Sequence, residues 1–204
     1  MGGKELNKFF EDYLKRSPLI INKRALQSDY TPDKLLHRDQ QIHQLASILA
    51  PALREEKPSN IFLYGKTGTG KTAITRHVLS EMDEVIQNKK TKVISYYLNC
   101  KLKRVADTEY RILAQIARAF GAEVPATGLP TDEVYKIFIH TIEEKNKIII
   151  LVLDEIDQLV KRTGDEILYN LTRLNSELKG SQISIVGISN DLVFADNLDP
   201  RVRS

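Results

Sequence analysis

The sequence predicts an α/β fold in which a parallel β-sheet is sandwiched by helices, with a helical extension at the N-terminus. Three observations lead there. Ile148 to Leu153 is an unbroken apolar run, the pattern of a strand buried on both faces. Short strands of this kind alternate with segments whose apolar residues recur at helical spacing, which marks successive βαβ units. A glycine-rich turn lies directly after one strand and directly before a helix, at the end of the sheet where such folds bind ligands.

Taken in order, residues 4–15 place Phe9, Phe10, Tyr13 and Leu14 on one side of a short amphipathic helix. Ser28 to Asp33 is turn chemistry, with Pro32 restraining the residue before it. A helix starts near Asp39 with Ile42, Leu45, Leu49 and Leu53 on one face, and Pro51 kinks or ends it. Lys57-Pro58-Ser59 is a break before the strand Ile61 to Tyr64. A helix then runs from Gly70 to about Met82, followed by a strand from Lys92 to Leu98. Asp107 or Thr108 caps a helix carrying Tyr110, Leu113, Ile116 and Phe120, which Gly121 ends. Thr131 caps another, with Val134, Phe138 and Ile142 on one face. After the 148–153 strand come a helix over 165–178, stopped at Gly180, and a last strand over 183–188. This divides the chain into an extension, 1–38, and a core, 39–204.

Composition narrows the class. With 204 residues, 42% of them hydrophobic and 28% charged, the chain is sized for one ordinary globular domain and is too apolar for pure disorder. The single Cys100 excludes an intramolecular disulfide framework and fits a reducing compartment. The longest apolar run is far too short to cross a bilayer, so a cytoplasmic protein without a membrane partner is expected. The net charge of +3 is uneven: residues 88–120 hold eight Lys and Arg against two acidic residues. Such a cluster is either a solvated lysine-rich surface or a phosphate-contacting one.

The chemistry concentrates just past the strand ends. Gly65-Lys66-Thr67-Gly68-Thr69-Gly70-Lys71-Thr72 matches G-x-x-x-x-G-K-[ST] in full. Its backbone N–H groups can converge on phosphates, Lys71 can neutralise the β and γ phosphates, and the Thr72 hydroxyl can ligate Mg²⁺. ATP or ADP with Mg²⁺ is the expected ligand. Asp154 and Glu155 leave the buried strand 148–153, where the first can hold the metal and the second can orient and deprotonate a water. Asp157 reads only as a helix-start residue. Asn190, after the last strand, serves equally as a γ-phosphate donor or as a turn former. Arginines near the C-terminus are usually solvated, but in oligomeric ATPases one can reach a neighbour's γ-phosphate.

In this order, the loop 65–72, Leu153-Asp154-Glu155, Asn190 and Asp199-Pro200-Arg201 resemble the AAA+ ATPases. Four further stretches resemble the initiator branch, the archaeal proteins related to the first subunit of the eukaryotic origin recognition complex and its loading partner. They are Asp29-Tyr30-Thr31-Pro32 with Leu36-His37-Arg38-Asp39, Leu98-Asn99-Cys100, Thr108 to Leu113 through Val124 to Leu129, and Leu198 to Ser204. The resemblance covers nearly all of 18–204. It implies that Glu155 activates water, Asn190 senses the γ-phosphate and Arg201 acts as an arginine finger, with Arg203 the less favoured choice. It implies an adenine side lined by Tyr30, Pro32, His37 and Arg38. It also implies an initiator-specific element over about 105–130 that touches duplex DNA and overlaps the basic segment, which makes Lys103, Arg104 and Arg111 the DNA-contact candidates.

As a whole, the resemblance implies a slow ATPase switch that binds duplex origin DNA beside the nucleoid and works with related initiator subunits and the replicative helicase. Relatives continue into a helical lid and a winged-helix domain, both absent from these 204 residues, so weak DNA affinity and very slow hydrolysis are expected of the chain as it stands. Two other readings compete. A signalling or defence P-loop ATPase with protein partners would share the nucleotide motifs but would not need the initiator-specific element. A small-molecule kinase would leave Asn190 and Arg201 unexplained.

Overall fold

The structure, a computed structural model, describes residues 3–16, 20, 23, 35–101, 108–125 and 127–198. The chain divides into two compact units, 1–34 and 35–204. The first contains helix α1 (Gly3–Lys15), with Glu5 in its first turn and Lys15 in its last, each at the end where the helix dipole favours its charge. Phe9 and Phe10 meet edge to face at 5.8 Å.

The second unit is a three-layer α/β sandwich. Its helices are α2 (Asp39–Leu49), α3 (Lys71–Lys89), α4 (Glu109–Ala119), α5 (Thr131–Glu143), α6 (Ile156–Thr163), α7 (Glu166–Arg173) and the short α8 (Phe194–Asn197). Its strands are β1 (Ile61–Tyr64), β2 (Val93–Asn99), β3 (Ile148–Asp154) and β4 (Gln182–Ser189). All pairings are parallel, in the order β1-β4-β3-β2. Every residue of β3 is buried, as its unbroken apolar run requires.

Period-two alternation divides the sheet between two cores. Ile148, Ile150 and Val152 of β3 face the layer of α2 and α3, together with Leu45, Leu49, Ile74, Val78 and Val186. Ile149, Leu151 and Leu153 face the layer of α4, α5, α6 and α7, together with Ile112, Phe138, Leu159 and Leu171. The parallel sheet covered on both faces is thus the fold that the sequence predicts.

Several element ends differ from the sequence reading. α3 runs on to Lys89 rather than stopping near Met82, because Ile86 extends its apolar stripe onto the same core. Pro51 ends α2, and the chain tightens into a 3₁₀ turn over Ala50–Arg54. Thr131 does not cap α5. Pro130 occupies the cap position, without a side-chain cap bond. Thr108 does cap α4, its hydroxyl accepting the Arg111 N–H at 3.3 Å. The helix expected over 165–178 ends at Arg173 and passes into a 3₁₀ turn over Leu174–Ser176. There Asn175 turns its side-chain amide to β4, accepting from the Ile183 N–H at 2.8 Å and donating to the Ile183 carbonyl at 2.9 Å. α6, of which the sequence marks only the start, is a full two-turn helix.

Gly187 in β4 is set by packing. A Cβ there would lie 2.9 Å from a Phe62 ring carbon and 3.2 Å from Ile156 Cδ1, and Phe62 in turn stacks on Phe194 at 5.4 Å. We expect Gly187→Ala to cost roughly 1–3 kcal/mol through overpacking, seen as a lower urea midpoint with an unchanged slope. An unchanged midpoint would mean that the ring yields freely. Cys100 has no exposed surface, and burial pushes its thiol up to about 12. Alkylation by iodoacetamide at pH 8 should therefore be at least about a hundredfold slower in the folded protein than in urea, and fast labelling of the folded chain would contradict this packing.

Candidate functional site

The parallel register carries the C-terminal ends of all four strands to one rim. Tyr64 of β1 lies opposite Ser189 of β4, Ile188 of β4 opposite Asp154 of β3, and Asp154 opposite Asn99 of β2. The segments that follow these residues are 65–72, 190–193, Glu155 and 100–101, so the sheet gathers the motifs that the sequence keeps far apart.

The loop after β1 is held by its own side chains. Thr69 donates its hydroxyl to the Lys66 carbonyl at 2.9 Å, and Lys71 Nζ donates to the carbonyls of Gly65 at 2.7 Å and Lys66 at 3.0 Å. Gly68 (φ +81) and Gly70 (φ +90) adopt the left-handed conformation that glycine takes without strain. Gly70 sits at the N-cap of α3, so free N–H groups and the positive end of a helix of 19 residues point into the loop. Burial holds the Lys71 ammonium below the usual lysine value, with Asp154 and then Asp157 opposing that shift.

Asp154 is 3% exposed and held on both oxygens. Oδ2 accepts the Thr72 hydroxyl at 2.8 Å and also the Tyr97 hydroxyl. Oδ1 accepts the Glu155 N–H at 2.9 Å. Burial, and then the bond to Asp154, push the Tyr97 phenol up to about 12, so it stays a donor at neutral pH. Glu155 adopts a left-handed conformation (φ 54, ψ 43) at the N-cap of α6, a geometry costing a non-glycine residue about 1–3 kcal/mol. Its carboxylate lies 3.4 Å from Lys101 Nζ. Arg162 of α6 reaches back to the carbonyls of Cys100 at 3.3 Å and Lys101 at 3.2 Å, tying the exit of β2 to that of β3.

Asn190 is exposed at the tip of β4, in a hollow shared with Lys66, Asp157 and Lys161. The turn that carries it is fixed from below. Ser189 donates its hydroxyl to Asp157 Oδ1 at 3.2 Å and accepts the Asp191 N–H at 3.0 Å. Asp157, itself 3% exposed, also accepts from the Gln158 amide at 2.8 Å and faces Lys161 at 3.6 Å. Asp157 is therefore more than a helix-start residue: it anchors the β4 tip. The i,i+4 spacing to Lys161 is the only signal of this in the sequence. Sequence reasoning misses Tyr97 as well, because nothing distinguishes it there from an ordinary strand aromatic.

The remaining predicted positions divide. Arg38 lies beside Gly70, 3.9 Å from where a Cβ would sit. With Gln44, Ile61, Thr69, Lys71 and Ile74 it lines a cleft of about 640 Å³ between α2, β1 and the loop. His37 is exposed and left-handed (φ 59). Lys66, Thr67 and Gly68 are exposed along the loop, and Arg111 is exposed in the first turn of α4. Tyr30, Pro32, Lys103, Arg104, Arg201 and Arg203 lie outside the described residues.

Comparison with known proteins places this geometry in a family. Residues 54–192 match the family described as AAA domain. The chain is 50% identical over 199 residues to ORC1-type DNA replication protein 1 of Methanosarcina acetivorans, covering 98% of this chain and 47% of that one. It is 51% identical over 203 residues to the ORC1-type DNA replication protein of Pyrococcus abyssi, covering 98% and 48%. It thus spans about half the length of these relatives. Among solved structures it resembles the Aeropyrum pernix ORC1 protein in complex with DNA, with a TM-score of 0.80 and 46% identity over 88% of this chain and 46% of that one. Identity at this level across nearly the whole sequence, with a matching AAA domain, means that the chain belongs to the ORC1-type DNA replication proteins and has the AAA+ fold.

Proposed function

We propose that the chain is the ATP-binding, slowly hydrolysing core of a replication initiator that binds duplex origin DNA and helps recruit the replicative helicase. The observation that carries the nucleotide part is the 2.8 Å hydrogen bond between Thr72 and Asp154, which joins the glycine-rich loop to the acidic strand end across β4. The DNA part is supported by 46% identity to a protein solved in complex with DNA, and by the basic residues between 88 and 120.

In this reading the N–H groups of 68–72 cradle the phosphates, and Lys71 exchanges the carbonyls of Gly65 and Lys66 for phosphate oxygens. The donor set fits Mg²⁺. A hydroxyl and a carboxylate oxygen converge at Thr72 and Asp154, while the described residues hold no cluster of three His, Cys, Asp or Glu. That pairing suits a cation held largely by phosphates and water. When bound, Mg²⁺ would neutralise charge building between the β and γ phosphates. Glu155 accepts the proton of the attacking water once its carboxylate parts from Lys101, and Asn190 donates to the γ-phosphate or that water. Arg201 acts on a bound neighbour's nucleotide, and His37 and Arg38 serve the adenine side. No helix among the described residues is long and apolar enough to cross a membrane.

Two experiments test the two halves. In the full-length protein Glu155→Gln should bind ATP within about threefold of the parent while hydrolysis falls by at least about a hundredfold, and Lys71→Ala should weaken nucleotide binding itself. Unchanged turnover in Glu155→Gln would remove Glu155 from the chemistry. For DNA, fluorescence anisotropy of the full-length protein with labelled duplex, with ATP and with ADP at two salt concentrations, should show weaker binding and a shallower salt dependence when Lys103, Arg104 and Arg111 are all changed to Ala. Absence of duplex binding under either nucleotide would favour an ATPase with protein partners.

A further inference from the structure

Tyr97 occupies β2 opposite Val152 of β3, two residues before the point where Asn99 meets Asp154. Its ring faces the layer of α3 and packs on the core that holds Ile74 and Val78. From there its hydroxyl reaches Oδ2 of Asp154, the oxygen that also accepts from Thr72. The ring is fixed from its other face as well: the Arg76 guanidinium lies over it, 4.5 Å from the centroid, within the range where a cation is attracted to an aromatic face. Arg76 and Thr72 stand one turn apart on α3. The helix therefore contacts Asp154 twice, directly through Thr72 and indirectly through the ring of Tyr97.

We propose that Tyr97 is a positioning residue for the metal-bearing form of the site, holding Asp154 Oδ2 together with the Thr72 hydroxyl, whose oxygen would ligate Mg²⁺, with Arg76 setting the plane of the Tyr97 ring. This rests on the reading of Thr72 and Asp154 as the Mg²⁺ side of a nucleotide site. The physical need is clear. A carboxylate this deeply buried keeps its orientation only while its oxygens are hydrogen-bonded, and the Glu155 N–H secures Oδ1 alone. A hydroxyl ligates a cation through an oxygen lone pair and keeps its proton to donate, so Thr72 and Tyr97 hold Oδ2 together. Without the Tyr97 hydroxyl, Oδ2 keeps only the side chain that the cation itself would pull on. Groups that orient a metal-binding residue from behind commonly change metal affinity or activity by about 10–100-fold when removed.

The test separates Mg²⁺ dependence from nucleotide affinity and from stability. The affinity of a fluorescent ADP analogue is measured in excess EDTA and across a Mg²⁺ titration, for the parent chain, Tyr97→Phe and Arg76→Gln. Tyr97→Phe keeps the ring and removes only the hydroxyl. Its affinity in EDTA should stay within about twofold of the parent, while the Mg²⁺ concentration giving half of the gain in affinity rises roughly tenfold. Arg76→Gln should shift that midpoint in the same direction by less, and it carries the test by the same criterion if Tyr97→Phe does not fold. An unchanged Mg²⁺ midpoint overturns the inference, as does an equal loss of affinity with and without Mg²⁺, which is the pattern of a purely structural tyrosine. A parent chain that binds the analogue equally well in Mg²⁺ and in EDTA overturns the reading of the site and the inference with it. A parent that responds to Mg²⁺ beside a Tyr97→Phe variant that responds identically overturns the inference alone.

Discussion

The buried carboxylate of Asp154 is the constraint on which the rest of this structure depends. It lies at the end of a strand with every residue buried, and an ionised group at that depth is tolerated only when its oxygens are satisfied. Three elements supply the donors: Thr72 from α3, Tyr97 from β2 and the N–H of Glu155 at the turn into α6. Hydrogen bonds to a charged group contribute about 1.5–3 kcal/mol each, so this one side chain ties a helix, a neighbouring strand and the following turn to the centre of the sheet.

Those ties set the geometry of the site. Because Thr72 begins the helix that follows the glycine-rich loop, the bond to Asp154 fixes how that loop stands against β3. Because β4 lies between β1 and β3, its tip is inserted between the loop and the acidic pair, and Asp157 secures the tip through Ser189. Glu155, left-handed at the turn into α6, has its carboxylate 3.4 Å from Lys101 Nζ, just past the end of β2. Lys71, Asp154, Glu155 and Asn190 thus come to one edge without a direct bond between the two strands that carry the main motifs.

Much of this was legible in the sequence, for identifiable reasons. The apolar run 148–153 could only be a doubly buried strand, and G-x-x-x-x-G-K-[ST] between a strand and a helix carries its own mechanism. Misreadings fell where a tertiary contact outweighed a local rule. Ile86 found core to pack on and carried α3 past Met82, while Asn175 gave its amide to Ile183 instead of to a helix.

By itself the sequence determined which segments are strands, where most helices lie and which residues are candidates for phosphate chemistry, because periodicity and glycine placement are local properties of the chain. Strand order was decided only in three dimensions: β4 lies beside both β1 and β3, and no local pattern encodes which buried strands become neighbours. The roles of Tyr97, Arg76 and Asp157 were decided there too. Each acts through a partner distant in the chain or across a turn, and a tyrosine that holds a carboxylate has the same letter as one that merely fills a core. That difference arises only when the folded backbone sets its hydroxyl against Asp154.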